Sequence, residues 1–442
     1  MTYQSVVNMI SGKRLSYCLL AGAIRFFLMN SEFQKIISDR VEVSTALNSW
    51  KRVTEGVYLR NSGIDPYAGD LFHETPLILL AFTYMHKYLS IWAIKLLFVL
   101  ADLLTSWLLY LTAKHYVIEL AKNEHEEIKE RKNEEISYTP IESTAKTTIL
   151  YVPAAYLFNP YIVLNCVGLT TTVFTNLLFA ATLYSMIKRW KISCCILISF
   201  LTLQGLYQIS LMVPATIYIV KDINVKSSII KTTITMISLF IGIIGSLLYL
   251  SYLIMGNWNF IGNTIGFILT VPDLRPNIGL YWYFFTEMFE HFRWLFIASF
   301  QINVGLLYIV PLALRLRKDP MLLAFTYLAI GAIFKSYPSI GDVGFYVALL
   351  PLWQHLFQHM QQVFVFGCFG LFCTVFAPTV WHQWIYSRSA NANFYFGATL
   401  AFATAQIFLL TDILFASVKR ELALKHGLSW EVNGNKAKVL LE

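Results

Sequence analysis

The chain has 442 residues, 57% of them hydrophobic and 14% charged, and a net charge of +8. Soluble domains carry roughly 25% charged residues; a soluble fold of this length cannot hide so much apolar surface, and a bilayer can. The basic residues fall in short clusters between apolar runs, with no contiguous basic stripe and no binding motif, which excludes nucleic acid as a partner.

Lys13 and Arg14 precede an apolar segment, Leu15 to Met29. No small-x-small cleavage site follows it, so it reads as an uncleaved first helix with a cytosolic N-terminus. A polar loop then occupies 30–75. An amphipathic interfacial helix is expected over 44–60, with Leu47, Trp50, Val53 and Val57 on one face and Lys51, Arg52 and Glu55 turned away. Gly63 and Pro66–Tyr67 mark a turn, and His73 and Glu74 stand just before Pro76. Asp39 and Glu42 are three apart, so a helical backbone would turn both towards one site. Paired carboxylates at a membrane surface suit general-base work or cation binding; a solvated cap is the plainer reading of the same residues.

The apolar stretch 76–113 reads as two short helices broken near His86–Ser90. The mixed-charge segment from Glu119 to Glu135 reads as a solvated part of a cytosolic loop, 114–145. Further apolar runs lie at 146–165, 170–187, 192–204, 206–220, 232–254, 293–314, 321–334, 343–360, 363–380 and 394–416. The basic clusters Lys13–Arg14, Lys188–Lys191, Lys221 to Lys231, Arg315–Lys318 and Lys419–Arg420 orient them. Placing every cluster inside gives about twelve crossings, both termini cytosolic, and a cytosolic tail over 417–442. The expected fold is an all-α polytopic membrane protein, a single membrane domain spanning 1–442.

The opposite-side loops gather the chemistry. In 255–292, Pro272 and Pro276 bracket a rigid turn containing Asp273, with Asn277 just beyond it. The aromatic run Tyr281–Trp282–Tyr283–Phe284–Phe285 follows, then Glu287, Glu290 and His291 within one expected helical turn. Trp and Tyr at this density belong at a membrane interface; acids and His beside them offer partners for lipid headgroups, and a metal site from those three is the less favoured reading. Residues 335–342 and 386–393 set Lys335, Asp342, Arg388, Asn391 and Asn393 beside helix starts, where they cap helices or hold sugar hydroxyls and phosphates. Within the spans, Arg25, Lys95, Asp102 and Asp412 are ionisable and should pair or line a polar cavity. Six cysteines lie in apolar stretches without CxxC spacing. No GxSxG, HExxH or Walker motif occurs, so neither a hydrolase, a nucleotide enzyme, a metal centre nor a cofactor is indicated.

The runs SDRVEV (38–43), NSWKRVTEGVYL (48–59), FHETPL (72–77), TVPDLRPNIGLYWYFFTEMFEHF (270–292), FKSYPSIGDVGFY (334–346) and WIYSRSANANF (384–394) resemble the PIG-U family, a subunit of the GPI transamidase. A weaker likeness, carried by Glu55–Gly56, Gly63, Pro66–Tyr67, Thr75–Pro76–Leu77, KLLFVLADLL, FNPYIVLNC and LQGLYQISLMVP, is to the GT-C mannosyltransferases of the PIG-M type. Those enzymes need an acid pair in the first lumenal loop. Glu42 falls near the first acid, but Asn48 stands near the second. The departure implies a GT-C-like scaffold that has lost transferase chemistry, with Asp39, Glu42, His73 and Glu74 as the vestigial site.

The resemblance implies an endoplasmic reticulum membrane protein that recognises the GPI lipid without catalysing its transfer. The catalytic Cys/His dyad of that assembly belongs to the PIG-K subunit; PIG-T, PIG-S and the GPI anchor attachment protein are the other implied partners. Candidate GPI contacts are Asp273, Asn277, Tyr281, Trp282, Phe285, His291, Asn391 and Asn393, with the lipid entering between the helix after Asn393 and the aromatic run. An active dolichol-phosphate-sugar glycosyltransferase and a glycolipid transporter are the alternatives.

Overall fold

The structure, a computed structural model, describes residues 3–129, 141–223, 225–426, 431–432 and 435–436. It is helical, apart from a two-residue antiparallel pairing of Glu431–Val432 with Asn435–Lys436. The helix Ile91–Lys129 is the central post; Ile141–Leu157 and Thr172–Ile187 pack along it, and Tyr3–Met29 lies against its first half.

Five helical stretches among the described residues are long and apolar enough to cross a bilayer: Ile91–His125, Lys226–Met255, Glu290–Arg315, Val363–Ile385 and Ala392–Leu424. The pair Thr144–Leu157 and Pro160–Val167, bent by 41° at its break, would be a sixth. Thr172–Ile187, Lys191–Gly205, Tyr207–Val220 and Pro320–Phe334 are apolar but shorter. The sequence pattern counts each of these as a crossing; among the described residues they are apolar helices of 14–16 residues, below the length of the five.

Local chemistry sets the boundaries. Helix Pro76–Tyr88 starts on Pro76, whose missing N–H has no partner to lose. It stops at extended Leu89, inside the break read from sequence, and at 13 residues it is too short to span. Asp319 accepts from the N–H groups of Met321 and Leu322 and so caps Pro320–Phe334. Ser339 and Asp342 form a reciprocal capping box at the start of Ile340–Leu349.

The intramembrane charges are all engaged. Arg25 pairs with Asp102 at 2.8 Å with both side chains fully buried; Tyr156 donates to the same carboxylate, and Arg25 also donates to the Leu157 carbonyl. Lys95 donates to the Met29 carbonyl and Asn30. Asp412 accepts from the backbone N–H groups of Gln361 and Gln362, which stand free at the start of Val363–Ile385.

Polar groups separate to two ends. At one end the basic clusters meet acids: Lys221 and Arg189 with Glu119, Arg315 and Lys318 with Glu421, Arg420 with Glu124. At the other end the loops 30–75, 256–292, 335–342 and 386–395 bond to one another, through Arg52–Asp273, Asp273–Tyr337, Glu42–Ile340 and Glu42–Tyr395. The grouping of loops read from sequence is therefore present in the fold.

The amphipathic helix in 30–75 runs over Trp50–Asn61, later than expected, and Leu47 precedes it in a turn. Its face Val53, Gly56 and Val57 is covered by protein rather than lying free at an interface, in a cluster with Phe72, Leu79, Phe82 and Phe260. A Cβ on Gly56 would meet the Phe72 ring at 2.4 Å, so only glycine fits there.

Candidate functional site

The aromatic run folds as the helix Tyr281–Glu287 and packs directly on the start of Ala392–His426. Trp282 lies against Trp384 and Tyr395 at centroid distances of 6.3 and 5.9 Å, and Tyr283 stacks on Phe396 at 4.5 Å. The Tyr283 hydroxyl donates to the Asn393 amide oxygen. The two elements between which a lipid is expected to pass thus touch at Tyr283, and an open aromatic cavity of about 390 Å³ lies beside the contact, lined by Tyr283, Phe284, Phe289 and Phe396. Trp282 Nε1 and the Tyr281 hydroxyl are buried and make no hydrogen bond among the described residues. An unpaired buried donor is unfavourable by about 1–3 kcal/mol, so both stand ready for an acceptor.

Asn391 and Asn393 differ in role. The Asn391 amide oxygen accepts from the Asn393 and Phe394 backbone N–H groups, as a helix cap does. Asn393 is left to meet Tyr283.

Beside this rim, an apolar groove of about 120 Å³ lies between the packed pair Val363–Ile385 and Ala392–His426 on one side and Tyr161, Leu164 and the first loop on the other. Cys373, Ala377, Pro378, Ala398 and Phe402 form its walls, and Arg40 and Glu42 its polar end. The Glu42 carboxylate takes two bonds of 3.1 Å from Arg40 and one of 3.3 Å from Tyr395, while its carbonyl accepts from Ile340. Glu42 therefore ties three loops together.

Asp39 does not join Glu42. The chain turns after Ser38, and Asp39 pairs with Lys51 in a different, surface pocket of about 210 Å³. That pocket also holds Arg52, paired with Asp273 at 2.8 Å, together with Arg275 and Asn277. Asn277 is buried and accepts from the Gly279 N–H within its own turn. Asn48 spends its whole side chain on the loop: the oxygen accepts from Thr45, and the nitrogen donates to the Val43 carbonyl and Thr172.

His73 stacks on Phe267 at 3.5 Å with its ring nitrogens against the Asn263 and Asp70 carbonyls. Burial pushes its pKa down to about 4, although those carbonyls favour the protonated ring. Glu74 lines a third pocket, and burial raises its carboxyl to about 7. Glu287, Glu290 and His291 do not share a helical face, because extended backbone at Met288 ends the helix before Glu290. His291 touches Phe292 and stands apart from the groove. Phe285 packs inward, on Phe300 and Tyr281.

Sequence reading missed Tyr395, Arg40, Trp381 and Trp384. The first is a single polar atom in an apolar helix, and the tryptophans read as more of the interfacial belt.

An all-helical chain with five described apolar helices of bilayer-crossing length is a polytopic membrane protein. Residues 19–402 match the PIG-U family, described as GPI transamidase subunit PIG-U. The chain is 38% identical to the GPI-anchor transamidase component PIGU of Homo sapiens, over 93% of this chain and 94% of that protein. It is 28% identical to the GPI transamidase component GAB1 of Saccharomyces cerevisiae, over 88% of this chain and 90% of that protein. The chain belongs to the PIG-U family of GPI transamidase subunits.

Proposed function

We propose that this chain is the non-catalytic subunit of the GPI transamidase that holds the GPI lipid and presents it for attachment to protein C-termini. The observation that carries the reading is the groove lined by Val363–Ile385, Ala392–His426 and Tyr161: apolar along its length, polar at Arg40–Glu42, and joined through the Glu42–Tyr395 bond to the cluster of Trp282 on Tyr395. Acyl chains suit the walls, while glycan hydroxyls and phosphates suit the rim, where amides give and accept hydrogen bonds and aromatic faces stack on sugars. The lipid reaches the groove alongside those two helices, beside the contact of Tyr283 with Asn393.

The remaining assignments support this reading. Membership of a GPI transamidase subunit family supports a site in the endoplasmic reticulum membrane, and we propose PIG-K, PIG-T, PIG-S and the GPI anchor attachment protein as its partners. The basic clusters support a topology with both termini in the cytosol. Asn48, fully used in closing its loop, leaves Glu42 without a partner acid, which accords with a GT-C-like scaffold retired from catalysis.

The test fills the groove. In cells lacking the endogenous subunit, Ala377→Trp should lower surface display of GPI-anchored proteins about tenfold while the complex still co-purifies. Asn393→Ala should lower it roughly fivefold to thirtyfold by removing one or two bonds of about 1 kcal/mol. Full display by both variants in an intact complex would overturn the proposal.

A further inference from the structure

Away from the groove, a polar chamber of about 50 Å³ lies under the loops. Thr45 and Asn48 come from the first loop, Glu74 from the turn before Pro76, Thr171 and Thr172 from the start of Thr172–Ile187, and Gln208 and Lys335 from two further connections. Thr45, Asn48, Glu74, Thr171, Thr172 and Ser336 are each at least nine-tenths buried. Buried polar side chains in this number require partners.

The charges do not balance. Lys335 is the chamber's cation, and Asp342 holds it at 2.7 Å. The other oxygen of Asp342 accepts from Ser339 twice, so that carboxylate is satisfied. Glu74 receives one hydrogen bond, from Thr171, and forms no salt bridge among the described residues. Its neighbour His73 is turned to backbone carbonyls and offers no counter-charge. A second acceptor is idle as well: Gln208 Oε1 is buried without a hydrogen-bond partner. It is also held near Gly205, where a Cβ would approach it to 2.5 Å. The chamber therefore has one unpaired negative charge and one unpaired acceptor, in a space that admits only a few heavy atoms. A group that supplies a positive charge and several N–H donors satisfies both.

We propose that this chamber binds a small primary ammonium bearing a neighbouring hydroxyl or ester oxygen, the chemistry of ethanolammonium, with Glu74 as its counter-ion and Gln208 Oε1 and the Thr172 hydroxyl as its hydrogen-bond partners. The raised carboxyl of Glu74 accords with a site that lacks its cation. A trimethylated ammonium has no N–H to donate and is too large, so the site discriminates against choline. The ligand is a free amine or the headgroup of an aminolipid. The inference does not rest on the groove, since the two sites share no lining residue.

The test uses the purified transamidase complex containing the full chain. Radiolabelled ethanolamine is measured by equilibrium dialysis, with ethylamine, choline and glycerol as competitors. One saturable site per chain is expected, competed by ethylamine but not by choline or glycerol. Glu74→Gln should weaken binding at least about tenfold. Gln208→Leu removes an acceptor that holds no partner; it leaves assembly intact and weakens binding a few-fold, so the proposal stays testable if the first variant does not assemble. Nanodiscs of phosphatidylethanolamine, against phosphatidylcholine, identify the source: occlusion of the site by the former assigns it to a headgroup, and unchanged uptake assigns it to a free amine. Absence of saturable binding, or binding unaltered in both variants, overturns the assignment.

Discussion

The Tyr395 hydroxyl donates to the Glu42 carboxylate at 3.3 Å, joining residues 353 positions apart in the chain. Through that contact the first loop grips the start of the helix that forms one wall of the groove. Glu42 is the residue nearest the first acid of a transferase, and its surroundings are those of a brace. Glu42→Gln should therefore lower the yield of intact complex modestly, by weakening the paired bonds from Arg40, and leave protein attachment largely preserved per assembled complex. Flow cytometry of a GPI-anchored reporter, normalised to co-purified complex, checks this. A loss as deep as removal of the catalytic cysteine of PIG-K would sink the non-catalytic reading.

Asn48→Asp adds an acid near Glu42, as a transferase reading of this loop would require, and should damage the chain rather than confer activity. The amide nitrogen's bonds to the Val43 carbonyl and to Thr172 are lost, and a buried carboxylate then faces that carbonyl. Such an uncompensated buried charge is destabilising by about 3–5 kcal/mol. Thermal unfolding of the purified complex should shift down, with no sugar transfer gained.

Glu74 gives a pH dependence of definite sign. Its folded carboxyl is raised to about 7, so ionisation opposes folding, and the penalty grows as pH climbs from the ordinary carboxylate range to about 7. Glu74→Gln should accordingly stabilise the ligand-free fold at pH 8, by at most about 3 kcal/mol, and change little near pH 4.5. Denaturation of the two forms across that range settles it; a variant no more stable than wild type at pH 8 would show that the carboxylate is already compensated.

Sidedness is open to direct labelling. Gly69 and Arg275 are exposed at the loop end, and Arg317 at the opposite end. Cysteines at the first two positions should react with a lumenal thiol reagent, and one at Arg317 with a cytosolic reagent. Asn277, although in the same loop as Arg275, is buried and would be silent. Labelling of Arg317→Cys from the lumen would invert the topology.

What the sequence disclosed followed from strong local signals. The break after Tyr88, the pairing of Arg25, Lys95, Asp102 and Asp412, and the gathering of four loops were all visible, because charge and proline are rare and costly inside apolar runs. Tyr395, Thr172, Gln204 and Gln208 were not visible. Each is one polar residue on an apolar helix or its end, and only the packing of distant segments decides whether it faces lipid, core or cavity. The roughly twelve expected crossings correspond to five helices of full bilayer length and several shorter apolar ones, because composition reports how apolar a segment is, not how long its helix runs. The separation of Asp39 from Glu42 turned on a single change of backbone direction after Ser38.

Asp412 also has a mechanical meaning. Val363–Ile385 and Ala392–His426 are joined by a short loop at one end, and at the other the Asp412 carboxylate fastens them through the Gln361 and Gln362 N–H groups. The hairpin is thus a closed frame, pinned at both corners. Between the pins the two helices pack on one another. Pro378 sits on that side of the groove, where its ring deletes a backbone hydrogen bond and lowers the resistance of the helix to bending. A frame of this kind fixes the register of its two sides, so the part of the groove wall that they supply is held from both ends.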